Sequence, residues 1–120
     1  SVAFSGDGKL LALASYDKTV KVWSTETWAE MSTLHGHSAW VNSVAFSGDS
    51  KLFASASDDK TVKMWSTETG PELSTLHGHS ERVNSVAFSG DGKLLASASW
   101  DSIKVWSPAT GAELSTLDGH

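Results

Sequence analysis

Cysteine is absent from this chain, which excludes a disulfide framework, thiolate zinc sites and a cysteine nucleophile while leaving the redox compartment open. Long apolar runs are missing too, and with 39% hydrophobic and 19% charged residues the composition is that of a soluble globular protein, neither disordered nor membrane-spanning. Basic clusters are lacking: 9 Lys and Arg face 14 Asp and Glu, a net charge of −5. A nucleic-acid module needs clustered cations to displace counterions from phosphates, so neither nucleic acid nor membrane is an expected partner. The start Ser1-Val2-Ala3-Phe4 has no initiator methionine and no signal-type apolar segment, which reads as a trimmed or excised chain with the cytoplasm as default location.

What is present is repetition. Ser-Val-Ala-Phe-Ser-Gly-Asp begins at Ser1, Ser43 and Ser85, a spacing of 42 residues each time. Laid over 43–84, residues 1–42 are identical at 32 of 42 positions; the third copy, 85–120, has 36 residues. It lacks five residues after His120 and one between Asp101 and Trp106. The expected units are therefore 1–42, 43–84 and 85–120. Within a unit, side chains alternate at period two through Val44 and Phe46, Phe53, Ser55 and Ser57, Val62 and Met64, then Leu73 and Thr75. Turn chemistry separates these runs: Ser47-Gly48-Asp49-Ser50, Asp58-Asp59-Lys60, Thr67-Glu68-Thr69-Gly70-Pro71 and His77-Gly78-His79. Four short strands per unit, a to d, are predicted. A helical period is absent.

Gly36-His37, Gly78-His79 and Gly119-His120, the turn residues Asp17, Asp59 and Asp101, and Trp23, Trp65 and Trp106 recur in fixed register. In these features the chain resembles the WD40 repeat family over essentially its whole length, departing from it where Ser24, Ser66 and Ser107 follow the tryptophan in place of Asp. The resemblance implies an all-β fold of three four-stranded antiparallel propeller blades. It also implies a buried polar network that locks each blade: Trp65, Ser55, His37 and Asp59 in the second, and Trp106, Ser97, His79 and Asp101 in the third. In the first, Leu13 stands at the serine position, and the histidine for Trp23 and Asp17 would be His120 of another chain.

A serine, histidine and aspartate together also suggest a hydrolase. There is no Gly-x-Ser-x-Gly elbow, and the tryptophan takes the hydroxyl's hydrogen bond, so no catalytic residue is assigned. The pairs His35/His37 and His77/His79 sit in different blades without carboxylates to complete a metal set, and each Gly-Asp-Gly turn carries one carboxylate, too few for calcium. Neither metal nor cofactor is expected.

Differences between the copies cluster at Tyr16, Asp58 and Trp100 in the b-to-c turn, and at Ala39-Trp40 against Glu81-Arg82 after Gly-His. In a WD40-like blade both loops emerge on one face of the disc, which makes these seven the candidate partner-binding surface; drift on exposed loops is the bland alternative. Trp28 replaces Gly70 and Gly111 in the c-to-d turn on the opposite face, a costly exchange if the backbone there has a positive φ. Propellers have about four to eight blades, so three leave two blade faces open, and head-to-tail association of two or three chains would close a ring of six or nine. The expected function is a non-catalytic protein-interaction scaffold that assembles with itself. The alternatives are a lectin-like ring stacking a ligand on Trp40 and Trp100, or a fragment of a longer signalling array.

Overall fold

A computed structural model describes residues 1–14, 17–49, 51–66, 72–100 and 102–118. Each sequence unit forms one antiparallel meander. The first comprises β1 (Val2–Phe4), β2 (Leu10–Ala14), β3 (Val20–Ser24) and β4 (Glu30–Leu34); the second β5 (Val41–Phe46), β6 (Leu52–Ser57), β7 (Val62–Ser66) and β8 (Glu72–Leu76). The third comprises β9 (Val83–Phe88), β10 (Leu95–Ser99), β11 (Ser102–Trp106) and β12 (Glu113–Asp118). Register repeats with the sequence: Leu11 pairs with Trp23, Phe53 with Trp65 and Leu95 with Trp106. A bulge recurs just before each of these tryptophans on the side facing the fourth strand, where it adds local twist to the outer edge of the sheet.

The turns explain why the meander folds. Between the first two strands, the Ser5 hydroxyl donates to Asp7 (2.6 Å), the Lys9 amide donates to the same carboxylate oxygen (3.0 Å), and the Leu10 amide donates to Ser5 (3.0 Å). Ser47-Asp49 and Ser89-Asp91 repeat the arrangement. These hydrogen bonds, the serine's foremost, hold all three carboxyls below the usual aspartate range. Serine and aspartate satisfy the turn locally, so it needs no tertiary support.

The sheets face one another across two apolar layers. Ala12, Val20, Val22 and Leu34 of the first meet Val41, Val44, Phe53 and Trp65 of the second. Ala54, Ala56, Val62, Met64 and Leu76 of the second meet Val83, Val86, Leu95 and Trp106 of the third. Every sheet thus carries a forward and a backward apolar face, and only the middle sheet has both covered. Val44 is 5% exposed and its equivalent Val2 61%; Leu76 is 3% exposed and its equivalent Leu117 56%. Among the described residues no helix is long and apolar enough to cross a membrane.

Candidate functional site

Strands β6 and β7 and the connection after β4 bring four polar side chains into contact inside the middle blade. Trp65 Nε1 donates to Ser55 Oγ at 2.8 Å, Ser55 Oγ lies 2.6 Å from His37 Nε2, and His37 Nδ1 lies 2.9 Å from Asp59 Oδ2. With the imidazole neutral and Nδ1 protonated toward Asp59, every proton has a recipient: indole to hydroxyl, hydroxyl to Nε2, Nδ1 to carboxylate. Asp59 also accepts from the Thr61 hydroxyl (2.5 Å) and amide (3.0 Å) and from the Ser38 amide (3.0 Å). Burial alone would raise this carboxyl, but the hydrogen bonds from Thr61, His37 and Ser38 outweigh it and leave it below the usual aspartate range. Phe53 stacks on Trp65 with ring centres 6.3 Å apart, and His37 meets the indole edge-on. Ser55 is 0% exposed, so its hydroxyl is closed to any substrate.

In the third blade Trp106 Nε1 donates to Ser97 Oγ (2.8 Å), which lies 2.7 Å from His79 Nε2; Asp101 lies outside the described residues. The chain must pass close to reach this position. A Cβ on Gly78 would stand 2.9 Å from Glu113 Oε1 and 3.2 Å from Trp106, so a larger residue there would displace the glutamate carboxylate and crowd the buried indole. In the first blade Trp23 and Leu13 are both half-buried, and Asp17 accepts from the Thr19 amide (3.1 Å) and hydroxyl, as Asp59 does from Thr61. His120 lies outside the described residues.

Of the seven variable loop residues, six are described and Tyr16 is not. They gather around two neighbouring concavities that share Arg82. Ala39, Trp40, Asp58 and Arg82, with Lys18 and Ser38, line one of about 490 Å³; Glu81, Arg82 and Trp100, with Asn84, line another of about 350 Å³. Trp40 is 52% exposed and Trp100 73%, yet the loop behind Trp40 is firmly held. Ser57 donates to the Trp40 carbonyl at 2.8 Å, and the Asp58 amide donates to the same carbonyl at 2.9 Å. Asn42 donates to Asp58 (2.6 Å) and to the Val83 carbonyl (3.0 Å), tying this loop to the next blade. Asn42, Ser57 and Lys18 are contributors that composition alone does not single out, although the recurring Val-Asn, Ser-Ala-Ser and Asp-Lys-Thr segments contain them.

The deletion in the third copy falls in a turn that the other two copies make with a left-handed residue. Lys18 and Lys60 each have φ of 74°, a left-handed turn residue; the third copy omits one residue in this turn, and Ser99 Oγ bonds across to Ser102 (3.3 Å) at the start of β11. Trp28 has φ of 59° and Gly111 75°, and their amides close equivalent turns on Ser24 and Ser107. A non-glycine residue in this conformation costs on the order of 1–2 kcal/mol.

Comparison with known proteins settles the family. The family described as "WD domain, G-beta repeat" matches residues 1–24, 28–66 and 70–107. The chain belongs to the WD40 repeat family. Its structure superposes on two solved WD40-like chains, "Structure of U3-55K" and "Crystal structure of RRP9 WD40 repeats", each with a TM-score of 0.96, at 29% and 30% identity, covering 99% of this chain and 38% of each of theirs. Over 43 residues it is 51% identical to the "Uncharacterized WD repeat-containing protein alr3466" of Nostoc sp. and 46% identical to the "Probable serine/threonine-protein kinase PkwA" of Thermomonospora curvata. Those matches cover 36% of this chain but only 3% and 6% of the two relatives, so the WD40 chain spans a small part of their length.

Proposed function

We propose that this WD40 chain is a non-catalytic recognition module that assembles with itself head to tail, using units 1–42, 43–84 and 85–120 as blades, with the cytoplasm as its setting. The observation carrying the recognition role is that six of the loop residues at which the repeats differ, Ala39, Trp40, Asp58, Glu81, Arg82 and Trp100, line two adjoining concavities. Arg82 belongs to both, and the exposed indoles of Trp40 and Trp100 stand one at each. Aromatic and arginine side chains on a rigid backing are what a protein partner buries at the centre of an interface. The non-catalytic reading is supported by the Ser55-His37-Asp59 set itself, whose hydroxyl is sealed and already accepts from Trp65.

Self-assembly is supported by the two open faces. The forward face of the third blade, with Ile103 and Leu117, is built like the face that Val62 and Leu76 present within the chain; the backward face of the first, with Val2 and Phe4, is built like that of Val44 and Phe46. A second copy would offer each open face the kind of surface that its equivalents meet inside the chain. Two chains close six blades and three close nine. His120 of one copy would then complete the polar set of Trp23 and Asp17 in the next.

Recognition is tested by selecting peptides on the assembled protein from a display library. The expected result is enriched peptides whose binding falls at least tenfold in Arg82→Ala and in Trp40→Ala. Binding indifferent to both substitutions would overturn the assignment of this face. Saturable fluorescence quenching by a sugar, lost in Trp40→Ala and Trp100→Ala, would replace it with the lectin-like alternative.

A further inference from the structure

Trp28 has the strained, left-handed backbone that the third repeat meets with Gly111, and it is 63% exposed, so packing among the described residues does little to offset that strain. The position itself is informative. A Cβ built on Gly111 lies 3.5 Å from Leu76 Cδ2 and 4.0 Å from Ser74 Oγ. The c-to-d turn of one blade therefore rests on the outer strand of the blade before it. Repeat equivalence turns this into a statement about Trp28, because the residues equivalent to Leu76 and Ser74 on the blade that would precede the first are Leu117 and Ser115. Leu117 is 56% exposed where Leu76 is 3%.

We propose that Trp28 is a junction residue, its indole packing on Leu117 and Ser115 of a second copy of this chain. The proposal rests on the self-assembly reading above. It adds that the intermolecular junction differs from the internal ones. Within the chain the blades are joined covalently, and a glycine suffices in this turn. Between chains there is no such linkage, and a tryptophan at the same place adds apolar contact against the leucine left open at the far end. Since only the first blade carries the indole, it also marks which face a third blade should meet, giving head-to-tail pairing its polarity.

Sedimentation velocity of the full chain over a dilution series tests this, with circular dichroism confirming that each variant is folded. Trp28→Gly restores the residue the backbone prefers and so should fold at least as well as the parent, but its dissociation constant should rise tenfold or more. Leu117→Ser should weaken association similarly, and the double variant should be scarcely weaker than either single one, as expected of two residues sharing a contact. A parent that assembles while Trp28→Gly assembles equally tightly overturns the role of Trp28 and leaves self-assembly standing. A parent that stays folded and monomeric at every concentration overturns self-assembly, and the junction with it.

Discussion

The middle blade and the first blade share most of their sequence and the same strand order, yet they are held together differently. In the middle blade the tryptophan is buried, its indole proton is taken by Ser55, and His37 and Asp59 complete a closed chain of hydrogen bonds. In the first blade Leu13 replaces that serine, and Trp23 remains half-buried. The third blade, which also has a blade before it, differs from the first in the same sense at its lysine. The side chain of Lys104, beneath the Gly-His connection, is 11% exposed and bonds Glu113 at 3.1 Å and Thr116 at 2.8 Å; that of Lys21 is 32% exposed, and its contacts to Glu30 and Thr33 are both 3.4 Å. The same residues thus make tighter contacts when a neighbouring blade and its connection lie over them. A WD40 blade is in this sense completed by the blade before it.

The largest test of that contrast is Trp65→Ala, which opens a cavity and strands Ser55 and His37 together; it should cost roughly 3–5 kcal/mol in denaturant unfolding. Unchanged stability would show that the polar set is incidental. A second test exchanges the blades' distinguishing residue. Ser55→Leu should cost roughly 1–3 kcal/mol from the groups it leaves unpaired, whereas Leu13→Ser, by offering a hydroxyl to Trp23 and to His120 of a second copy, should strengthen association by about 1 kcal/mol, some fivefold in dissociation constant. Equal losses from both exchanges would erase the contrast.

The pH dependence follows from Asp59. Its carboxyl is held below its unfolded value, so the stability it contributes is present above about pH 4 and is lost as pH falls through the lower folded value. Asp59→Asn should flatten the acid limb of the stability profile, and an unchanged limb would assign it to other carboxyls. The smallest expected effect is Arg82→Ala, within about 0.5 kcal/mol in unfolding because the side chain stands in an exposed loop; a larger loss would make Arg82 a structural residue and weaken its place in the recognition surface.

Much of this architecture was legible in the residues. The 42-residue period and the alternation at Phe53, Ser55 and Ser57 announce the strands, and the glycines opposite Trp28 flag a backbone requirement that its φ bears out. Other features depend on a neighbour that a single repeat does not contain. Asn42 looks like an ordinary strand residue until Asp58 and the Val83 carbonyl of the next blade stand beside it. The bulge before each tryptophan is invisible to a period-two pattern, since one extra residue on the facing strand leaves the alternation of Val62 and Met64 intact. Lys63, a charged residue in the middle of a strand, is 8% exposed, and its ammonium reaches Thr75 at 2.8 Å.

Light scattering on a gel-filtration column decides whether blades with uncovered faces are completed by another copy of the chain. A species of two or three times the 12.7 kDa chain mass is expected. A stable, folded species at 12.7 kDa would contradict it.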